Sequence, residues 1–536
     1  MPMRIIRLMK EIKLNNMRYN LLNWIPIFLC MVITACTDRE YPGLPEGSGE
    51  TITIPMELVP REMETAPLTR SMETEEGSII IEPLTATRSS DEDDEKKVNK
   101  LLLYLFEGNT GTATLKSIQE ITPILTDDGK VSCLIDIEKA TKDYIIYFLA
   151  NIEEAQLDPA IGMTLENFKK LAIQLNNPIQ SGNIPMMGHT AFSTGSGLVQ
   201  PLSITLTRMV AKISFQLKAN NATGFIEDNT IHIHNIPNTI NLDTDALTPT
   251  DGSYTHFEVT PDQNGTFSFY MPQNKRGKNE TITSTSQKGG SNVPKRSTYI
   301  RISGIYENPD PAIGKLPLFY RIYLGEDMVS DFNIIQNKKY NIAITLTGTS
   351  ENDKRVYHPE NLNGQDGRTA NSYIVSKSGY YFFDATVQGN GATTPGPASG
   401  DLWKGAEITP RPMNPTNALW IWKTDDELIN EDPFVYKYQN NSRSYTILCF
   451  SVGQVESGNA VLGVQEEGNN PDELAWSWHI WVTSYNPETD YNVYDFTGGS
   501  GETMMDRNLG ALSNAYDAEG SARGLAYQWG RKDPFP

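Results

Sequence analysis

The side chains that could carry chemistry in this 536-residue chain are few and far apart. Six histidines stand at 189, 232, 234, 256, 358 and 479, and only His232 and His234 share strand spacing. Residues two apart in a strand face the same side, so this pair could seed a metal site. With no cysteine or third ligand beside it, the spacing is that of exposed or cross-strand histidines. The sequence holds no His-Glu-x-x-His, no Gly-x-x-x-x-Gly-Lys and no Gly-x-Ser-x-Gly, the patterns that hold a catalytic zinc, cradle a phosphate or expose a serine nucleophile. The acidic pairs Asp93-Asp94 and Asp425-Asp426 sit in polar stretches and read as solvated charge. No catalytic residue, metal or cofactor is expected, and an enzyme would need a constellation assembled only in space. The stronger signal is aromatic: Trp403, Trp420, Trp422, Trp476, Trp478, Trp481 and Trp529 all lie beyond residue 400. On a strand, Trp476 and Trp478 point together and Trp481 points away. The first two are therefore either core or an exposed platform that could stack on a sugar, and they are the candidate ligand contacts.

The remaining chemistry belongs to sorting. Arg4, Arg7, Lys10, Lys13 and Arg18 against Glu11 precede a mostly apolar stretch from Leu21 to Ala35. That stretch is shorter than the roughly 20 residues a bilayer span needs and is broken by Asn23 and Pro26, so it reads as an export signal, with Met1 or Met17 as the start. Its ending, Ile33-Thr34-Ala35-Cys36, resembles a bacterial lipobox, in which a small residue before the cysteine admits the lipoprotein peptidase and the thiol takes a diacylglycerol. Cys36 is thus the expected lipidation site, and the outer membrane is a partner through that lipid. Cleavage there leaves 40 basic against 65 acidic residues, a net charge of −25. Such a chain repels phosphate backbones, so nucleic acid is not an expected partner. Cys133 and Cys449 read as two buried unpaired thiols.

The elements around these residues are short and β-like. The chain is long enough for three or four domains of roughly 150 residues. Residues 36–97 read as an acidic flexible tether, ending in the run Ser89 to Glu95 that is too charged to bury; within it, Thr51 to Leu58 and Ser78 to Ile81 alternate or cluster as strands do. Lys100 to Phe106, Val131 to Ile137 and Tyr144 to Leu149 follow as strands bounded by turn residues. Thr164 to Leu175 spaces its apolar residues at helical intervals. Ile213 and Phe215 alternate with Lys212 and Ser214, which predicts a half-buried strand with the lysine in water. All-β domains with minor helix are expected.

Ile184-Pro185-Met186-Met187-Gly188, followed by Ser203 to Phe215 with its Arg208-Met209-Val210-Ala211-Lys212 core, resembles the fimbrillin family, the subunits of type V pili. The resemblance continues in order through Thr230 to Pro237, Thr266 to Asn274, Thr298 to Gly304, Leu318 to Gly325, and Asn337 to Gly348. It implies two tandem transthyretin-like β-sandwiches, at 98–217 and 218–350, after a signal peptide at 1–35. A linker at 351–400 would then lead to a C-terminal β-rich domain at 401–536. In that last part Ala475 to Val482, Met505 to Ala511 and Gly524 to Phe535 resemble a Trp-rich lectin-like module, whose relatives continue past the point at which this sequence stops, so an incomplete domain is expected. The resemblance also gives Thr69-Arg70-Ser71 and Thr87-Arg88-Ser89 a meaning, because fimbrillins mature by Arg-directed cleavage. Arg70 and Arg88 are the candidate cleavage sites. The function implied is an accessory or tip subunit of a pilus, mediating cell-surface adhesion and joined to other fimbrial subunits by strand exchange. The alternatives are a membrane-anchored fimbrial anchor subunit and a stand-alone surface lipoprotein that binds a host or bacterial glycan or protein.

Overall fold

The computed structural model describes residues 51–535 apart from 68–76, 85–93, 126–129, 139–140, 176–178, 195–200, 221, 223, 246, 250–252, 309, 312–313, 365–368, 389–411, 426–427, 430–431, 441–442, 454–456, 467–472, 495–500, 516–519 and 528–532. The described chain is all-β, as expected, and its sheets fall into three groups that we call modules.

The first stretch contributes β1 (Thr51–Pro60), β2 (Glu64–Thr65), β3 (Ile79–Pro83), β4 (Leu101–Glu107), β5 (Thr114–Ile121), β6 (Ile124–Leu125), β7 (Val131–Glu138), β8 (Asp143–Ala150), β9 (Ala172–Gln174), β10 (Met186–Ser193) and β11 (Leu202–Arg208). Eight of them pair in the order β5-β4-β8-β10-β11-β1-β7-β6. β7 alternates buried Val131, Cys133, Ile135 and Ile137 with outward Ser132, Leu134, Asp136 and Glu138, of which Leu134 alone is apolar, so its buried face closes one core together with Leu101, Leu103, Ile146 and Phe148. β4 and β8 are continuous apolar runs because they are buried on both faces. Leu102, Tyr104, Phe106, Tyr147 and Leu149 point to a second core built around Phe168. Phe168 lies on α1 (Leu165–Lys169), whose N-cap Thr164 accepts from the Asn167 N–H at 3.4 Å. The helix expected to reach Leu175 ends here, and Ala172–Gln174 instead pairs as β9 with the strand at 239–241.

The second stretch holds β12 (Val210–Asn220), β13 (Phe225–Pro237), β14 (Thr239–Asn241), β15 (Tyr254–Val259), β16 (Thr266–Pro272), β17 (Tyr299–Glu307), β18 (Lys315–Tyr323), β19 (Lys338–Leu346) and β20 (Val356–Tyr357). One sheet runs β16-β12-β19 with β2 and β3 both on the free side of β19; the other runs β15-β13-β17-β18-β20. Ile213, Phe215, Ile233, Ile300, Ile302, Tyr340 and Ile342 close the core between them. β12 pairs entirely with β16 and β19, so the residues up to 217 assigned to the first sandwich begin the second one already at Val210.

The third stretch holds β21 (Glu360–Asn361), β22 (Ser372–Val375), β23 (Gly379–Asp384), β24 (Pro415–Lys423), β25 (Phe434–Asn440), β26 (Arg443–Val452), β27 (Gly458–Glu466), β28 (Trp476–Val482), β29 (Tyr491–Tyr494) and β30 (Glu502–Met505). Sheets β21-β23-β26-β25 and β22-β28-β27-β24 pack on each other, and β29 pairs with β30. The segment 351–400, expected as a linker, supplies β22 and β23, whose Tyr373, Val375, Tyr381 and Phe383 are buried in that core.

Candidate functional site

β1 occupies the middle of a sheet although it comes from the segment expected to be a tether. It runs antiparallel to β7 from Thr51↔Glu138 to Leu58↔Val131, and parallel to β11 from Met56↔Leu202 to Pro60↔Leu206. The alternation seen in its sequence seats Ile54, Met56 and Leu58 in the core, each at most 1% exposed. At about 1.5–3 kcal/mol per fully buried aliphatic side chain, those three side chains contribute about 5–9 kcal/mol. Pro55, which has no N–H to give to a ladder, pairs with Leu134 of β7 just before the stretch Met56–Leu58 that is paired on both sides. The outward side carries only exposed contacts, such as Thr53 Oγ1 donating to Asp136 at 2.6 Å and Lys130 beside Glu57 at 3.0 Å. Cys133 sits opposite Met56. It is buried and unpaired, and burial pushes its thiol up to about 11.

β2 and β3 take an edge position in the second module, beside β19. Glu64 and Thr65 pair parallel with Lys338 and Lys339, and Ile79–Pro83 pairs antiparallel with the far end of β19. Ile79 and Ile81 enter the core. Asp353 accepts the Ser78 N–H at 2.9 Å and pairs with Arg355 at 2.7 Å, while Arg355 donates to the Ile79 carbonyl at 2.9 Å. The chain upstream of residue 88 therefore fills one strand position in each of two modules.

What holds the chain just after that segment was not read from the sequence. Glu95, expected in a run too charged to bury, is 2% exposed. Lys212 donates to it at 2.6 Å and Tyr270 at 2.9 Å, and the Lys339 ammonium lies 3.6 Å away. Burial alone would raise this carboxyl; the Lys212 and Tyr270 hydrogen bonds and the two ammonium charges bring it below its ordinary value. Lys212 is accordingly buried rather than in water, because its partner comes from a different part of the chain. Arg208, 1% exposed, donates through Nε to the Glu95 carbonyl at 2.8 Å and through Nη1 to the Arg61 carbonyl. The Arg-x-x-Ala-Lys core thus places both cations on one turn, Asp94–Lys96. Asn151 secures the next residues, accepting from the Asn99 N–H at 2.9 Å and donating to the Lys97 carbonyl at 2.8 Å.

Cys36, Arg70 and Arg88 lie outside the described residues, as do Trp403 and Trp529. The tryptophan pair does not form a platform. Trp478 is fully buried, 5.0 Å from Phe383, and Trp476 is half-buried with its Nε1 donating to Asn371 at 3.2 Å. Both face the core between the two sheets of the third module. Trp481, on the other face, is also fully buried and packs on Tyr485 at 5.5 Å. That face is covered by the C-terminal segment: Trp422 Nε1 donates to the Pro534 carbonyl at 3.2 Å, Ser477 to Asp533 at 2.6 Å, and Asn459 to the Gly510 carbonyl at 2.9 Å. Beneath it His479 bridges Ser372 Oγ at 2.6 Å and Asn459 Oδ1 at 2.9 Å, and burial brings its imidazole down to about 4. Met505 to Leu509 of the Met505 to Ala511 motif instead line an open depression of about 500 Å³, where Asp506 pairs with Arg507 at 2.7 Å. Among the described residues no group of three or more His, Cys, Asp or Glu is placed to hold a metal.

Residues 79–199 match the family described as Major fimbrial subunit protein (FimA), and residues 269–344 match a domain of unknown function, DUF4906. No curated protein matches the chain. Among solved structures it is similar to the tip fimbrial protein Mfa3 from Porphyromonas gingivalis with a C-terminal truncation, at 14% identity over 55% of this chain and 98% of that one, TM-score 0.32. A candidate cell adhesion protein from Parabacteroides distasonis is 12% identical over 56% of this chain and 99% of its own, TM-score 0.34. Another from Bacteroides eggerthii is 13% identical over 53% and 84%, TM-score 0.33.

Proposed function

We propose that this chain, fimbrial-subunit-like over residues 79–199, is an accessory or tip subunit of a type V pilus. It is exported as a lipoprotein, lipidated at Cys36, to the outer surface, serves cell adhesion and joins other fimbrial subunits by strand exchange. The observation that carries the reading is β1, an interior strand with both edges paired, lying upstream of Arg70 and Arg88. Cleavage at either arginine makes β1 a separate peptide, and its departure opens a groove between β7 and β11 with unpaired main-chain groups along both walls. A strand from another subunit fills such a groove through main-chain hydrogen bonds and alternating side chains. Cleavage after Arg88 also frees β3 and uncovers β19, whereas cleavage after Arg70 leaves β3 in place. Beyond either cut, Glu95 and Asn151 tie the new N-terminal stretch to both modules through bonds that do not involve β1.

The test is the mature N-terminus together with polymer formation. Mass spectrometry of assembled material should give a start at Ser71 or Ser89, and a chain with Arg70 and Arg88 both replaced by Ala should remain monomeric on mildly denaturing gels. A lipidated Cys36 start with β1 retained in assembled material supports the anchor reading instead. Wild-type ladders from the double variant refute cleavage-dependent assembly.

A further inference from the structure

The outer face of the β15-β13-β17-β18-β20 sheet is made of rings and cations. Register sets His232 against Glu258 on one side and Arg301 on the other, His234 against Tyr299, Arg301 against Arg321, and Ser303 against Phe319. Directly opposed residues share a face, so these side chains form one surface, opposite the core-facing Ile233, Ile300 and Ile302. The third module sits on it. Phe319 meets Phe434 edge-on at 5.3 Å and Tyr436 at 6.0 Å, and Ile305 and Phe319 share a buried cluster with Phe382, Ile447 and Cys449. The Arg301 guanidinium lies 3.7 Å from the Phe434 ring centre, and that of Arg321 lies 4.3 Å from Tyr380. Arg301 and Arg321 are 2% and 5% exposed. A weakly hydrated guanidinium tolerates burial against aromatic faces, but further positive charge beside it has no such outlet.

The histidines stand where that charge would arise. His234 stacks on Tyr299 at 4.7 Å and on His256 at 5.4 Å, and its ring is 6.0 Å from that of His232. Buried His234 Nε2 and His232 Nδ1 have no hydrogen-bond partner among the described residues, so neither ring has an acceptor waiting for a second proton there. Burial first, then the Arg301 charge and His256, hold His232 down at about 3 and His234 well below its ordinary value. The other charged groups facing them are few. Glu258 on β15 is 3.9 Å from His232, and Asp432, just before β25, is 3.7 Å from His256; both carboxylates are largely exposed, at 61% and 66%. Arg296 and Tyr254 line the small gap that His234, His256 and Asp432 also border, and Arg321 adds its charge from β18.

We propose that this contact is an acid-sensitive joint: protonation of His232 and His234 beside Arg301 and Arg321 separates the third module from the second while each keeps its own core. The sign follows from linkage. The docked state requires neutral rings, whereas the separated surface lets them charge near 6.5, so docking is complete above that value and weakens as the pH falls below it. At neutral pH the Trp-rich module is held rigidly on the second sandwich, and in acid surroundings it swings free on its connecting chain.

Hydroxyl-radical footprinting of side chains on the full chain between pH 7.5 and 4.5, normalised to an internal reference, tests this. Oxidation of Phe319, Phe382, Phe434 and Tyr436, which meet at the joint, should rise reversibly between pH 6.5 and 5, while Phe215, Tyr340, Phe383 and Trp478 in the module cores stay protected. The paired change His232→Gln with His234→Phe should lower the midpoint by one pH unit or more. Arg301→Gln, which removes the opposing charge, should lower it as well and serves if the double variant does not dock at pH 7.5. Interface protection that persists until the cores themselves open, or a midpoint unmoved by both variants, overturns the proposal.

Discussion

Replacing Trp478 by Ala separates a core from a sugar-stacking surface. The ring is fully buried between the two sheets of the third module and touches Phe383 at 5.0 Å. Truncating a buried aromatic costs about 3–5 kcal/mol, because the lost transfer energy is joined by the cavity left behind. For a module of this size that lowers the melting temperature by roughly 6–20 °C. Two companion variants sharpen the expectation. Trp478→Phe keeps a ring against Phe383 and removes an indole N–H that has no acceptor among the described residues, so it should cost only about 1–2 kcal/mol. Trp476→Ala, half-buried and bonded to Asn371 at 3.2 Å, should also cost about 1–2 kcal/mol. Scanning calorimetry of the full chain, following the component assigned to the third module, gives the order Trp478→Ala well below the other two. A Trp478→Ala chain that melts like wild type but no longer adheres would refute the packing argument and return this ring to the surface.

Glu95→Gln removes the carboxylate that Lys212 and Lys339 share, and should destabilise the first two modules by about 3–5 kcal/mol in urea titrations, because buried ammonium groups are left uncompensated. The same carboxyl titrates below its ordinary value of 4.5 when folded, so its contribution is present above that pH and is lost as the pH falls through the lower folded value; the Gln variant should lack that acid limb. His479, brought down to about 4 by burial, is neutral in the fold, so the third module should lose stability as the pH falls from about 6.5 towards 4, and His479→Gln should flatten that slope in pH-dependent melts. The interface variants at His232, His234 and Arg301 add the docking midpoint described above.

The strands were legible wherever one face is buried, because alternation reports burial directly: β7 shows it at every position but the exposed Leu134. The apolar runs of β4 and β8 were legible too, since burial on both faces leaves no polar position. What escaped depends on partners far away in sequence. Lys212 alternates as a wet residue would, and only the arrival of Glu95, 117 positions earlier, makes its burial affordable. Within the tether the strand-like runs Thr51 to Leu58 and Ser78 to Ile81 were legible, but their partners were not, since β2 and β3 are short and gain their stability by covering β19 of the second module. Leu171 and Leu175 keep helical spacing with Leu165 and Phe168, yet residues 172–174 take strand pairing because 239–241 offers an edge. Three tryptophans at strand spacing could not reveal their burial, because strand alternation puts Trp481 on the face away from the core, and it is buried there against Tyr485. Arg70, Arg88 and Cys36, the candidate cleavage and lipidation sites, lie outside the described residues, and their roles rest on the sequence alone.

Cys133 offers the most direct test of whether β1 is a removable occupant of a groove. Its thiol lies opposite Met56, and the other described cysteine, Cys449, is fully buried at the joint between the second and third modules. Native-state alkylation at neutral pH, read by mass spectrometry, should leave Cys133 unmodified in the uncleaved chain. After Arg-directed cleavage, it should modify Cys133 only in molecules that have lost the fragment carrying β1, and adding back a peptide of residues 51–60 should protect it again. Cys133 modified in the uncleaved chain, or still unmodified in molecules lacking that fragment, would contradict the account.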